Sequence, residues 1–77
     1  MLQAVTLKEI LAVFEVTDAL GISREALVIP LAPGQPGRVR RLPSGKLEIV
    51  IDAETPLSEW LQILPALIRQ AQAGAPA

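Results

Sequence analysis

Ser23, Ser44 and Ser58 are the serine hydroxyls this chain could turn into nucleophiles, and nothing stands beside them to do it. A serine attacks well only when a neighbouring base takes its proton. The chain has no histidine, no cysteine and no tyrosine, so the commonest general base, the commonest metal ligand and the soft nucleophile are all missing. A serine–lysine arrangement with Lys8 or Lys46 is formally open, but no spacing supports it. Each serine also has a structural use: Ser23 as a cap, Ser44 in a tight turn, Ser58 in a first helical turn. No catalytic residue is expected, and the chain reads as a non-enzyme.

The carboxylates lead to the same place. Asp52 and Glu54 could offer oxygen to a hard cation such as magnesium. They also precede a helix, where acidic side chains complement the dipole without any ligand. The dipole role is the expected one, so neither a metal site nor a cofactor is predicted. Glu9 and Glu15 belong to a solvated helix face.

Basic side chains make the second candidate surface. Arg38, Arg40, Arg41 and Lys46 fall within one hairpin, and arginines on a β-ribbon can contact phosphates or enter a groove. Against this, Arg40 falls opposite Glu48, and arginines on an edge strand discourage sheet-to-sheet aggregation. No aromatic residue is interleaved for base stacking, because Phe14 and Trp60 both sit on helical apolar stripes. Net charge is −1, so no global field favours nucleic acid or membrane. A nucleic-acid-binding regulator using this hairpin is the alternative function.

The elements that position these residues can be read from local rules. Thr6 followed by Glu9 makes a capping box. Leu7, Ile10, Leu11 and Phe14 recur at helical spacing, with Val13 and Val16 widening the apolar face, and Gly21 supplies a left-handed terminus. A helix from about 7 to 20 is predicted. Its charged residues are few (Lys8, Glu9, Glu15, Asp18), and a helix so apolar around its girth suggests two buried faces, one for its own core and one for a neighbour. The stretch Ala19 to Leu27 has the look of the middle of a helix-turn-helix, but the β-prone, proline-broken Val28-Ile29-Pro30-Leu31 follows where a recognition helix is needed. A short turn capped by Ser23 and leading into an edge strand is expected instead.

Ala32 to Gly37 is a loop. Residues 38–42 and 46–52 then form a hairpin around Pro43-Ser44-Gly45, the proline setting the first turn position and the glycine the left-handed one. That register pairs Val39 with Ile49 and turns Val39, Leu47, Ile49 and Ile51 inward. Arg41 shares their face, whereas Val50 does not, so either the edge is ragged or something else covers Val50. Thr55 is expected to cap the last helix, with Pro56 in its first position. Leu57, Trp60, Leu61, Leu64, Leu67, Ile68 and Ala71 make its stripe, and Pro65 inside it predicts a kink. Residues 73–77 are expected to fray.

The order of hairpin strand Ile49-Val50-Ile51-Asp52, capping Thr55-Pro56 and apolar helix resembles small zinc peptidases related to phage-repressor-cleaving proteins. Their helix carries His-Glu-x-x-His. The corresponding stretch here is Ala66-Leu67-Ile68-Arg69-Gln70, which lacks all the working residues, so no zinc site or peptidase chemistry carries over.

The fold expected is α+β: an N-terminal helix, a small antiparallel sheet of two or three strands, and a C-terminal helix packed on the sheet, in one domain spanning 1–77. Hydrophobic residues make up 51% of the chain and charged ones 19%, an apolar balance for a soluble domain. A chain this short buries only about 60% of its unfolded surface, and no disulfide or Cys/His metal site can staple it. Some aliphatic surface is therefore expected to be buried against a second chain, giving a homodimer. The expected function is a small interaction or assembly module, with Phe14, Trp60 and Leu64 as candidate interface residues and Trp60 open to a core role as well. No apolar run approaches the roughly 18 residues of a membrane span. Met1 to Glu9 carry no basic stretch ahead of an apolar core, so no signal peptide is expected and the cytoplasm is the default. The lack of asparagine and cysteine and the seven prolines form a pattern that a thermophilic source gives, as would much of a GC-rich genome.

Overall fold

The computed structural model describes residues 4–73; of the fraying expected at 73–77, residues 74–77 lie outside that range. Its elements in order are α1 (Leu7–Ala19), a single 3-10 turn (Arg24–Ala26), β1 (Leu27–Val28), β2 (Arg38–Arg41), β3 (Leu47–Val50) and α2 (Leu57–Ala73). The three strands form one sheet in the order β1-β3-β2. The fold is α+β, and α2 packs on the sheet over β2 while α1 packs on α2.

Helix α1 begins with a complete capping box. The Glu9 amide donates to the Thr6 hydroxyl at 3.3 Å, and the Thr6 amide donates to Glu9 Oε1 at 2.8 Å. Its other end is a Schellman closure: the Ile22 amide donates to the Thr17 carbonyl at 2.9 Å and the Gly21 amide to the Asp18 carbonyl at 3.0 Å. Gly21 lies at φ +76°, where a side chain would be strained. This closure releases the chain into the turn capped by Ser23, whose Oγ accepts from the Glu25 amide at 3.3 Å. No recognition helix follows; the chain goes directly into β1.

The hairpin has the predicted register, with Val39 opposite Ile49 and Arg40 opposite Glu48. Its three-residue loop is closed by Leu42 N–H donating to the Lys46 carbonyl at 2.8 Å, with Gly45 at φ +90°. The sheet as a whole departs from the antiparallel expectation. β1 pairs with β3 in parallel, Leu27 beside Leu47 and Val28 beside Glu48, so the sheet is mixed. The reason is the route of residues 29–37. They do not turn back beside β1, but run along β3 to its far end and round it to the opposite edge.

That route also settles the anomaly at Val50. Leu47, Ile49 and Ile51 are buried in one cluster with Val5, Val13, Trp60, Leu64 and Ile68. Val50 faces the other side of the sheet, yet it is buried too. Gly34 covers it: the Gly34 amide donates to the Ile51 carbonyl at 2.9 Å, the Ala53 amide donates back to the Gly34 carbonyl at 2.8 Å, and a Cβ at Gly34 would lie 2.5 Å from a Val50 methyl. Helix α2 opens at Leu57, one position later than predicted. The Trp60 amide donates to the Pro56 carbonyl, which puts Pro56 at the cap and leaves Thr55 before it. Pro65 lies inside α2, and its missing N–H leaves the Leu61 carbonyl without a helical donor.

Candidate interaction surface

Ser23, Ser44 and Asp52 are held in structural roles. Ser23 caps the 3-10 turn, and Ser44 Oγ accepts from the Lys46 amide at 3.4 Å inside the hairpin loop. Ser58 is exposed in the first turn of α2. Asp52 is a backbone clamp. Its Oδ1 accepts from the amides of Glu54 at 2.8 Å and Thr55 at 2.6 Å, and its Oδ2 accepts from the Gly37 amide at 2.9 Å. The Thr55, Gly37 and Glu54 amides stabilise the charged form and hold the carboxyl down at about 2, below its ordinary 3.8. Glu54 is exposed. The helix-start role expected for Asp52 is therefore part of a wider one, joining the loop before β2 to the segment before α2. Gly37 is required there, because a Cβ would lie 2.6 Å from the Asp52 backbone nitrogen. Among the described residues no three Asp or Glu side chains gather at metal-binding distance, and no buried side-chain nitrogen or oxygen lacks a partner.

The basic hairpin is divided rather than gathered. Strand alternation sends Arg38 and Arg40 to one face and Arg41 to the other. Arg40 Nε donates to Glu48 Oε1 at 2.8 Å, and Arg41 Nη1 donates to the carbonyl of Gln72 at 3.3 Å, in the last turn of α2. A cation there satisfies an orphan helical carbonyl and complements the dipole. Arg38 and Lys46 are exposed. Arg24, at the start of the 3-10 turn, reaches back to α1: it pairs with Asp18 at 2.8 Å and sits over the Phe14 ring, 4.6 Å from its centroid. The hydrogen bond from Arg24 lowers the Asp18 carboxyl, and Asp18 correspondingly raises the guanidinium.

The apolar candidates separate as well. Trp60 and Leu64 are fully enclosed in the chain's own core and present no surface to a partner. Phe14 is half-buried, and Arg24 covers its ring. The exposed apolar surface of α1 lies nearer its start. Leu7 is 70% exposed and Leu11 47%, a pair one turn apart on the same side of the helix. With Lys8, Ala12 and Glu15 they line a shallow open groove along the outer side of α1. Ile10, Val13 and Val16 turn inward instead. The apolar stripe from Leu7 to Phe14 had signalled two faces without saying which residues belonged to which. The signal that separates them is the position of Thr17: it is fully buried, its hydroxyl donating to the Phe14 carbonyl at 3.2 Å, and so places the inner face one quarter-turn from the leucines.

Compared with protein-family models, with curated proteins and with solved structures, the chain matches none. Among the described residues no helix is long and apolar enough to cross a membrane.

Proposed function

We propose that this protein is a small non-enzymatic interaction module that works as a homodimer. The observation that carries the proposal is the uncovered side of α1. Folding closes a complete core around Trp60, Leu64 and Ile49, yet leaves Leu7 and Leu11 adjacent and exposed, rimmed by Lys8 and Glu15. Neighbouring apolar side chains inside a charged rim are the ordinary make-up of a protein contact. The size of the chain supports the same reading, since a domain this small gains stability from association when it has no staple. A cytoplasmic setting is part of the proposal, because a chain without cysteine needs no oxidising compartment.

The division of the arginines counts against a phosphate-binding hairpin: Arg40 and Arg41 face opposite ways and each already has an oxygen partner. Size-exclusion chromatography with light scattering tests the proposal. At micromolar concentration the mass should be twice that of one chain and should fall on dilution. A single-chain mass at every concentration would overturn it.

A further inference from the structure

The groove on α1 carries more than apolar exposure: its charges are arranged so that it complements itself. Lys8 and Glu15 lie at its two ends, two helical turns apart, about 10.5 Å along the axis at 1.5 Å per residue. Between them are Leu11 and Ala12, one large side chain and one small. Positions three and four residues from Lys8 hold Ala4 and Val5, ahead of the helix, and Leu11 and Ala12 within it, and those around Glu15 hold Leu11, Ala12, Asp18 and Ala19. None offers an opposite charge, so neither residue has a partner on its own helix face. Among the described residues neither makes an ion pair elsewhere.

From this arrangement we infer that two copies pair through antiparallel α1 helices about a two-fold axis that passes between Leu11 and Ala12. The inference rests on the homodimer proposed above and specifies its surface. With the helices antiparallel, Lys8 faces the partner's Glu15 and Glu15 faces the partner's Lys8, so both ends of the contact are satisfied by one rotation. Beside the axis Leu11 packs against the partner's Leu11 on one side and Ala12 against the partner's Ala12 on the other, and the small alanines let the axes come within the 8–10 Å usual for packed helices. Leu7 extends the apolar strip at each end. A contact of this kind is isologous, with the same patch on both chains, as two-fold symmetry requires. The charge pattern selects this occupant over a foreign helix or peptide. An acidic or a basic partner would match one end of the groove and repel the other. The remaining exposed aliphatics carry no comparable pattern, since Leu20 stands at the C-cap of α1, Leu31 on a loop and Ile63 on the outer side of α2, and single exposed apolar residues are ordinary.

Charge exchange tests the pairing directly. In Lys8→Glu both ends of the dimer become Glu against Glu, and in Glu15→Lys both become Lys against Lys. Each variant alone should dimerise about tenfold or more weakly than the wild type, as two attractive pairs turn repulsive. Mixed together, the two variants should form a heterodimer in which every end again sets lysine against glutamate, and the double variant Lys8→Glu/Glu15→Lys should recover wild-type association. Both positions are exposed on the helix, so circular dichroism should report an unchanged fold in all of them. A wild type that stays monomeric would overturn the homodimer and this surface with it. A wild-type dimer that both single variants keep at unchanged strength would leave the homodimer standing and overturn the α1 pairing. Loss of association in both variants without rescue on mixing would overturn the antiparallel register.

Discussion

The two helices are built from similar amounts of apolar residue and use it in opposite ways. Helix α2 gathers Trp60, Leu64 and Ile68 into one buried line against the sheet and the inner side of α1, with Leu57, Leu61, Leu67 and Ala71 packed at its margins. Helix α1 spreads its aliphatic residues around the girth, so that Val13 is buried while Leu7 and Leu11 remain outside. A narrow stripe fills a core and is finished when the chain folds. A broad one fills the same core and leaves a second face for another molecule.

The ends of the helices differ in a related way. The start of α1 is secured by its capping box, Thr6 and Glu9 satisfying each other's amides, and by the Val5 amide just before it, which donates to the Leu31 carbonyl at 2.7 Å. The approach to α2 is secured at long range, through the Asp52 carboxylate that also holds Gly37 from the far side of the hairpin. Helix α2 is therefore tied to the sheet by both its stripe and its leading segment, whereas α1 packs on α2 and its leading segment is tied to the loop after β1.

If that contrast is right, truncation within the α2 stripe should have the largest effect. Trp60→Ala should cost about 3–5 kcal/mol, the range for deleting a buried aromatic side chain. Thermal unfolding followed by far-ultraviolet circular dichroism would measure it. An unchanged melting temperature would mean that Trp60 is not in the core, and the contrast between the helices would fail.

The Asp52 clamp should come next. Asp52→Ala removes a charged acceptor from the Gly37, Glu54 and Thr55 amides and should cost about 1–3 kcal/mol at neutral pH. The folded chain holds this carboxyl at about 2, below the ordinary 3.8. The stabilisation it gives is thus fully present above about pH 4 and is lost as pH falls toward 2. Melting curves of wild type and Asp52→Ala should therefore converge between pH 4 and pH 2. A constant difference across that window would remove the clamp from the account of how α2 is anchored.

What could be seen in the sequence follows the same divide between local and long-range contacts. The Thr6–Glu9 box, the left-handed Gly21 and the Pro43-Ser44-Gly45 turn need only neighbouring residues, and all three are legible from residue type and spacing. The turn then sets the strand register, which puts Arg40 opposite Glu48 without further information. The parallel pairing of β1, the cover that Gly34 places over Val50 and the grip of Asp52 on Gly37 each join segments separated by a loop. No periodicity encodes where a loop of prolines and glycines will dock. Arg41 is similar: its inward register was legible, but its acceptor, the Gln72 carbonyl, depends on where α2 ends over the sheet.

The candidate surface was half legible for the same reason. The apolar girth of α1 announced a second face, but the share of leucines it would keep depended on how α2 settled against α1. Trp60 and Leu64 were equally suited by type to a core and to an interface, and only the closed packing against Ile49 and Ile51 assigns them to the core. Phe14 stays between the two, half-buried with its ring under the Arg24 guanidinium.

The central claim is that the outer side of α1 is buried by a second copy while the core is complete within one chain. Sedimentation velocity of the wild type and of Leu11→Glu, over a matched concentration series, tests it most directly. Leu11 is exposed in the single chain, so its replacement should leave the helix content intact and change the stability of the chain itself by no more than about 0.5 kcal/mol, as is usual for surface positions. The wild type should sediment as a dimer that dissociates on dilution, and Leu11→Glu as a folded single chain at every concentration. A Leu11→Glu protein that dimerises as strongly as the wild type would contradict the claim.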